Sequence, residues 1–135
     1  MRPSSGFTLM ELLVVISIIG ILAAIVMSSL NVVRTKGVDG AAKSAMGQLR
    51  AQAEIYFDTY HDYGVFTIDC AGNDMFNSLA HIFANINTRI KPGTLACEAN
   101  GNAWAVSATL QGGPIWCVDS KGLSASTTRS GTTCN

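Results

Sequence analysis

The longest apolar run lies near the start of the chain, where residues 7–30 read FTLMELLVVISIIGILAAIVMSSL and include a single charge, Glu11. As an α-helix this run covers about 36 Å, which exceeds the ~30 Å hydrocarbon core of a bilayer. A chain of 135 residues has no core large enough to surround such a helix. The run therefore predicts a membrane-spanning helix. Placing an ionised carboxylate near bilayer depth costs of the order of a few kcal/mol. A purely mechanical membrane anchor would have no reason to carry Glu11, so we expect this residue to have a function.

A cleaved secretory signal peptide is the competing interpretation, since Arg2 supplies a short basic region before the run. The apolar part of a signal peptide covers only about 7–15 residues and ends at a small-residue cleavage site. Here the run is longer, and Ala23 and Ala24 are followed by more apolar residues. The sequence favours removal of a short leader, residues 1–6, with the apolar segment retained.

Residues 6–15, GFTLMELLVV, resemble the prepilin cleavage and N-methylation motif of type IV pilins and type II secretion pseudopilins. The motif is specific because it combines a glycine, an aromatic residue and a glutamate at one spacing inside an apolar run. The resemblance implies that a prepilin peptidase cuts between Gly6 and Phe7 and that the new Phe7 amine is methylated. It also implies that Glu11 meets the Phe7 amine of a neighbouring subunit during filament assembly. The simpler alternative is that Glu11 only reaches the lipid head groups.

A second, amphipathic part of the helix is predicted over residues 31–63. One face, expected to pack on a globular head, recurs at steps of three or four: Val38, Ala42, Ala45, Leu49, Ala53, Tyr56, Tyr60 and Tyr63. The opposite face, expected to be solvated or to touch neighbours, carries Lys43, Gln48, Arg50, Asp58 and Asp62. Gly64 is expected to end the helix in the left-handed conformation. The resemblance also implies a helix that loses order near its middle, and Gly20 is the expected point of flexibility.

The head, residues 64–135, combines a helical period with alternating strands. A loop is predicted over 65–74, a short helix over 75–86 and a turn at 91–93. Alternation from Trp104 to Leu110 predicts a half-buried strand, residues 111–114 a turn and residues 115–119 a second strand, so an antiparallel hairpin is expected. The Ser/Thr-rich end is read as a weakly structured tail or short edge strand, with glycosylation as an alternative. The predicted class is α+β and type IV pilin-like, with a long N-terminal helix packed on a small antiparallel sheet and a short extra helix.

Four cysteines, Cys70, Cys97, Cys117 and Cys134, all follow the apolar run. An even count in an exported domain favours two disulfides. Three pairings are possible; Cys70–Cys97 with Cys117–Cys134 is preferred because each then closes a local loop. A zinc site is the alternative, but no C-x-x-C occurs and no histidine lies close to a cysteine in sequence.

Catalytic and ligand-binding motifs do not stand out, and no enzyme activity, cofactor or metal is predicted. His61 and His81 read as surface residues, and Trp104 and Trp116 as core residues. Asp69, Asn73 and Asp74 form the only tight acidic cluster, which is too sparse for a confident calcium site.

Charge does not favour a nucleic-acid partner, because nine basic and nine acidic residues balance. The basic residues of the head are scattered in sequence: Arg89, Lys91, Lys121 and Arg129. A DNA-uptake pilin is therefore a less favoured alternative.

The resemblance implies a structural subunit, expected to be the major pilin of an extracellular type IV pilus. Its expected partners are further copies of itself in a helical filament, a prepilin peptidase and the pilus assembly machinery, with the inner membrane holding it as a single-pass protein before assembly. A minor pilin or a type II secretion pseudopilin is the alternative within the family. A membrane-anchored enzyme is the alternative from another class.

Overall fold

The computed structural model describes residues 6–68, 70 and 74–135. Its elements, in chain order, are α1 (Leu9–Tyr60), β1 (Val65–Ile68), α2 (Asp74–Ser78), α3 (Ala80–Asn87), β2 (Ala96–Asn100), β3 (Trp104–Thr109), β4 (Ile115–Asp119), β5 (Ser124–Ala125), β6 (Arg129–Ser130) and β7 (Thr133–Cys134). The chain divides into two compact units, one ending at Arg34 and the other beginning at Thr35. The predicted α+β class, with a long N-terminal helix and an antiparallel sheet, is confirmed.

In the N-terminal unit, α1 exposes its apolar side chains on every face. By length and composition α1 is able to cross a membrane, and none of its most apolar window is buried. Hydroxyl groups in this segment bond to the helix itself: Ser17 Oγ donates to the Leu13 carbonyl at 2.8 Å, and Ser29 Oγ to the Ile25 carbonyl at 3.2 Å. Such bonds satisfy polar groups that hydrocarbon cannot.

In the second unit, one face of α1 forms part of the core. Ala42, Ala45, Met46, Leu49 and Ala53 are its buried residues. The predicted face is therefore right over its middle turns but wrong at Tyr60, which is 64% exposed. Instead, Phe57 packs against the core and stacks on Tyr63, with ring centroids 4.5 Å apart. Three of the five buried residues of α1 are alanines, whose small side chains leave room for larger core residues from α2, α3 and the sheet.

The helix ends three residues before the predicted boundary. Its last residue is Tyr60, and His61 adopts the left-handed conformation (φ 56°) while its N–H donates to the Phe57 carbonyl at 2.7 Å. Gly64 also has a positive φ, of 77°, but it lies in the following turn. The reversal frees Tyr63 to enter the core, since its N–H then donates to the Gly101 carbonyl at 2.8 Å.

A five-stranded antiparallel sheet forms the head, with strand order β1-β2-β3-β4-β5. The predicted hairpin is present as β3 and β4, paired from Ala105↔Asp119 to Thr109↔Ile115. The loop predicted over 65–74 is wrong at its start, because Val65–Ile68 pairs with β2 as an edge strand. The sequence gives little sign of β1 because this strand has only four residues and is flanked by glycine, asparagine and aspartate. The single predicted helix is two, α2 and α3, separated at Leu79.

Both faces of β3 are covered, so the expectation of a half-buried strand is also wrong. Trp104 and Val106 enter the main core, whereas Ala105, which is fully buried, lies in a second cluster with Cys117 and Cys134. The second face is covered by the C-terminal segment, where β6 and β7 pair as a small hairpin. The Ser/Thr-rich end is therefore structured and acts as a cover for the sheet.

Candidate assembly site and the contacts that shape the head

The start of α1 is closed by a reciprocal pair of side chains, Thr8 and Glu11. Glu11 Oε2 accepts from the Thr8 N–H at 2.9 Å and from the Thr8 hydroxyl at 2.8 Å. In return, the Glu11 N–H donates to Thr8 Oγ1 at 3.2 Å. This is a capping box, in which a Thr and a Glu three residues later satisfy N–H groups that the first turn leaves free.

The capping box uses only part of the Glu11 carboxylate. Both bonds from Thr8 go to Oε2, and Oε1 has no hydrogen bond to any described residue. Glu11 and the neighbouring Phe7 are exposed, Phe7 by 81%. Cleavage between Gly6 and Phe7, and the pairing of Glu11 with another subunit, stay predictions. Thr8 was overlooked in the sequence, although T-x-x-E before an apolar run is the signal of a capping box.

Gly20 lies within the continuous helix α1. A Cβ at this position would meet no atom within 4 Å, so the residue is not required by close packing in the described chain. Flexibility at Gly20 stays a prediction.

Two basic residues of α1 contact the sheet, which corrects their expected solvation. The Arg50 guanidinium donates through Nε to the Asp119 carbonyl at 3.1 Å and through a second nitrogen to the Leu123 carbonyl. Lys43 Nζ lies 4.3 Å from the centroid of the Trp116 ring, in cation–π geometry. Sequence spacing alone gave no sign of these contacts, because their partners lie far along the chain.

A third polar contact joins α1 to the β3–β4 turn. The Gly112 N–H lies 3.1 Å from Asp39 Oδ2 and 3.3 Å from Oδ1. A Cβ at Gly112 would approach Asp39 Oδ2 to 2.6 Å, so a side chain there would displace the carboxylate. A larger residue at Gly112, in the turn predicted at residues 111–114, would therefore disturb the contact with Asp39.

Both disulfides of the structure follow the local pairing. Cys70 is bonded to Cys97 with a Cα–Cα distance of 5.3 Å, and Cys117 to Cys134 with 5.8 Å. The second bond closes a sequence separation of 17 residues. In the chain-entropy account, a loop of this size is worth about 3 kcal/mol. It fastens the C-terminal segment to β4.

Asp119, the last residue of β4, is buried with 2% exposure and accepts three backbone N–H groups. Its Oδ1 accepts from Lys121 at 3.1 Å and from Leu123 at 2.9 Å, and its Oδ2 accepts from Cys134 at 3.0 Å. The sequence offered one signal, since Asp followed by Gly three residues later is typical of a turn that an aspartate closes. The bond to Cys134 had no signal in the sequence.

A buried tyrosine lies between the end of α1 and β3. The Tyr63 hydroxyl donates to Glu54 Oε1 at 3.0 Å, and its ring meets Trp104 edge to face with centroids 6.5 Å apart. Burial, followed by the hydrogen bond to Glu54 and the charge of that carboxylate, raises the pKa of Tyr63 to about 12. Its hydroxyl therefore stays protonated across the physiological range.

The remaining candidate residues are the two histidines, the acidic cluster and the basic residues of the head. Among the described residues, no three His, Cys, Asp or Glu side chains are grouped so as to hold a metal ion. Asp69 and Asn73 of the acidic cluster lie outside the described residues. His61 and His81 are exposed. Of the basic residues of the head, Arg129 forms an ion pair with Glu98 and is only 15% exposed.

An exposed apolar helix with a capped glutamate in its first turn, followed by a small antiparallel head, is the arrangement expected of a pilin-like subunit. The comparisons agree: the family described as the prokaryotic N-terminal methylation motif matches residues 1–27. The chain is 28% identical over 119 residues to the Type IV wide pilus major component PilA4 of Thermus thermophilus, covering 86% of this chain and 81% of that protein. No solved structure gives a significant match. The motif and the relative together support the type IV pilin family, which confirms the resemblance.

Proposed function

We propose that this chain is the major structural subunit of an extracellular type IV pilus, stored in the membrane and assembled after cleavage between Gly6 and Phe7. The observation that carries the proposal is the N-terminal unit, whose apolar side chains are exposed throughout the helix. Such a surface needs lipid before assembly and neighbouring helices afterwards. The similar Thermus thermophilus protein is itself a major pilus component.

Assembly in this proposal depends on one charged group in an apolar surface. Glu11 Oε2 is occupied within its own subunit, which leaves Oε1 to accept from the Phe7 amine of a neighbour. In a filament core, loss of one member of such a pair leaves a buried charge, at a cost of roughly 3–5 kcal/mol. The pair therefore supplies register where apolar packing alone supplies little.

Mass spectrometry of filaments sheared from the source cells tests the proposal. The expected dominant species begins at methylated Phe7 and has a mass four hydrogens below that of the reduced chain, since both disulfides are closed. A processed chain present only in traces would instead support the minor pilin or pseudopilin alternative. A chain that keeps residues 1–6 would contradict both.

A further inference from the structure

Asp119 has a buried carboxylate in the head, and the proposed filament assembly does not use it. Carboxylates are rarely buried unless they are paired or fully hydrogen-bonded. Two of the three N–H groups that Asp119 binds belong to its own turn, but the third belongs to Cys134, 15 residues along the chain. A turn alone would not need this third bond.

The third bond fixes a cysteine beside its partner. Cys117 and Asp119 are two residues apart on β4, so their side chains leave the same face of the strand. The Cys134 N–H is bound to Asp119 at 3.0 Å, and its Cα lies 5.8 Å from that of Cys117. This distance lies in the range that a disulfide requires.

Three other polar contacts of the C-terminal segment do not involve sulfur. Arg129 pairs with Glu98 on β2 and donates to the Gly131 carbonyl at 2.9 Å. At the very end, the Asn135 N–H donates to the Thr128 carbonyl at 3.0 Å. Of these contacts, only the Arg129–Glu98 pair links the segment to another strand, whereas the other two close the segment on itself; all three can form in the dithiol state.

We propose that Asp119 is a positioning residue for disulfide closure: its carboxylate holds the backbone of Cys134 beside Cys117 before the sulfur atoms are joined. A small disulfide then serves as oxidant. One cysteine thiolate attacks it and releases a thiol, and the second cysteine displaces the other half. Two electrons and two protons pass from the cysteines to the oxidant, which leaves as two thiols.

A carboxylate suits this role better than an amide, because every group that faces it is a donor. Oδ1 and Oδ2 accept from Lys121, Leu123 and Cys134 alike. In Asp119→Asn, one of these positions would carry an NH₂ group, which places donor against donor and removes the charge that strengthens the bonds. The variant changes shape very little and therefore tests the carboxylate itself.

The experiment follows reoxidation of the reduced full-length chain in detergent micelles with oxidised glutathione. Free thiols are trapped with an alkylating agent at intervals, and each bond is quantified by peptide mapping. In Asp119→Asn, closure of Cys117–Cys134 is expected to slow roughly tenfold, the effect of one lost hydrogen bond to a charged group. Closure of Cys70–Cys97 should be unchanged, as should both rates in the exposed turn variant Asp62→Asn. Equal Cys117–Cys134 rates in Asp119→Asn and the parent chain would overturn the proposal.

Asp119→Asn could slow closure of both disulfides by disturbing the fold, and a second measurement tests the proposal in that event. The chain with Cys117→Ala and Cys134→Ala cannot form the second disulfide, yet it keeps the backbone N–H of residue 134. Hydrogen exchange of that amide is expected to be protected in this variant and to lose protection when Asp119→Asn is added. An amide that exchanges freely in the double alanine variant would show that the disulfide positions the tail, contrary to the proposal.

Discussion

Replacing Glu11 by Gln separates the capping role that the structure shows for this side chain from the intersubunit role that we propose for it. Glutamine keeps the shape and an acceptor oxygen, and it serves at this position of a capping box as glutamate does. The variant should therefore start its helix normally, with the bonds to Thr8 retained in kind. It loses only the charge that would meet the Phe7 amine of another subunit.

The expected magnitudes differ enough to be told apart. An amine left without its carboxylate in an apolar filament core costs roughly 3–5 kcal/mol, which lowers assembly by a factor of a hundred or more. Thr8→Ala removes the cap but keeps the charge, and loss of a threonine cap costs about 1 kcal/mol, or roughly fivefold. Glu11→Gln should abolish filaments, whereas Thr8→Ala should only reduce them.

The assay compares the amount of sheared filament with the processed membrane pool, both measured by quantitative immunoblot. Using the processed pool as the reference removes any effect of either variant on cleavage or insertion. Filaments at the parental level from Glu11→Gln would refute the intersubunit pair. If Thr8→Ala then failed to assemble, the capping box itself would be the assembly determinant.

Three further predictions concern the head, all measured on the purified chain in detergent. Arg50→Met should lower the free energy of unfolding by about 1–3 kcal/mol, since two carbonyls lose a charged donor. Lys36 is exposed, and Lys36→Met should leave this free energy unchanged. Equal effects of the two variants would contradict the Arg50 contact. Leu49 is 0% exposed, so Leu49→Ala should lower the free energy of unfolding by about 2–5 kcal/mol. Ile55 is 59% exposed, and Ile55→Ala should change this free energy little. Similar losses in the two variants would place Leu49 outside the core. The pKa of Tyr63 is raised to about 12 in the folded chain, so the free energy of unfolding should fall as the pH rises from about 10 towards 12. Tyr63→Phe should remove this part of the fall. A pH dependence that is unchanged in Tyr63→Phe would argue against the raised pKa.

The features that the sequence predicted well are those that depend on neighbours in the chain. The apolar period of α1 placed Leu49 and Ala53 in the core, and alternation located the hairpin of β3 and β4. The capping box was equally local and could have been read from Thr8 and Glu11. Local patterns suffice here because helix and strand periodicities are set within a few residues.

The features that the sequence did not predict depend on partners far along the chain. Arg50 was assigned to a solvated face because its acceptors, Asp119 and Leu123, become neighbours only after folding. The sequence predicts only a weakly structured tail or short edge strand after Leu123, because no periodicity shows that β6 and β7 cover Ala105. The sequence predicts the helix end at Gly64, since glycine is the usual left-handed residue, but the helix ends at Tyr60 and His61 already takes that conformation.

In the apolar part of α1, Glu11 is the single charged side chain that could set the register of a neighbouring helix. Between Leu12 and Met27 the only polar side chain is Ser17, and its hydroxyl is directed back to the Leu13 carbonyl. In the proposed filament, helices that slide past one another by a turn along this length would exchange one set of aliphatic contacts for another. If Glu11 pairs with a neighbouring subunit as proposed, the first turn of α1 is where a filament would have a fixed register, and the aliphatic segment after it would allow neighbouring helices to be re-spaced along the shaft.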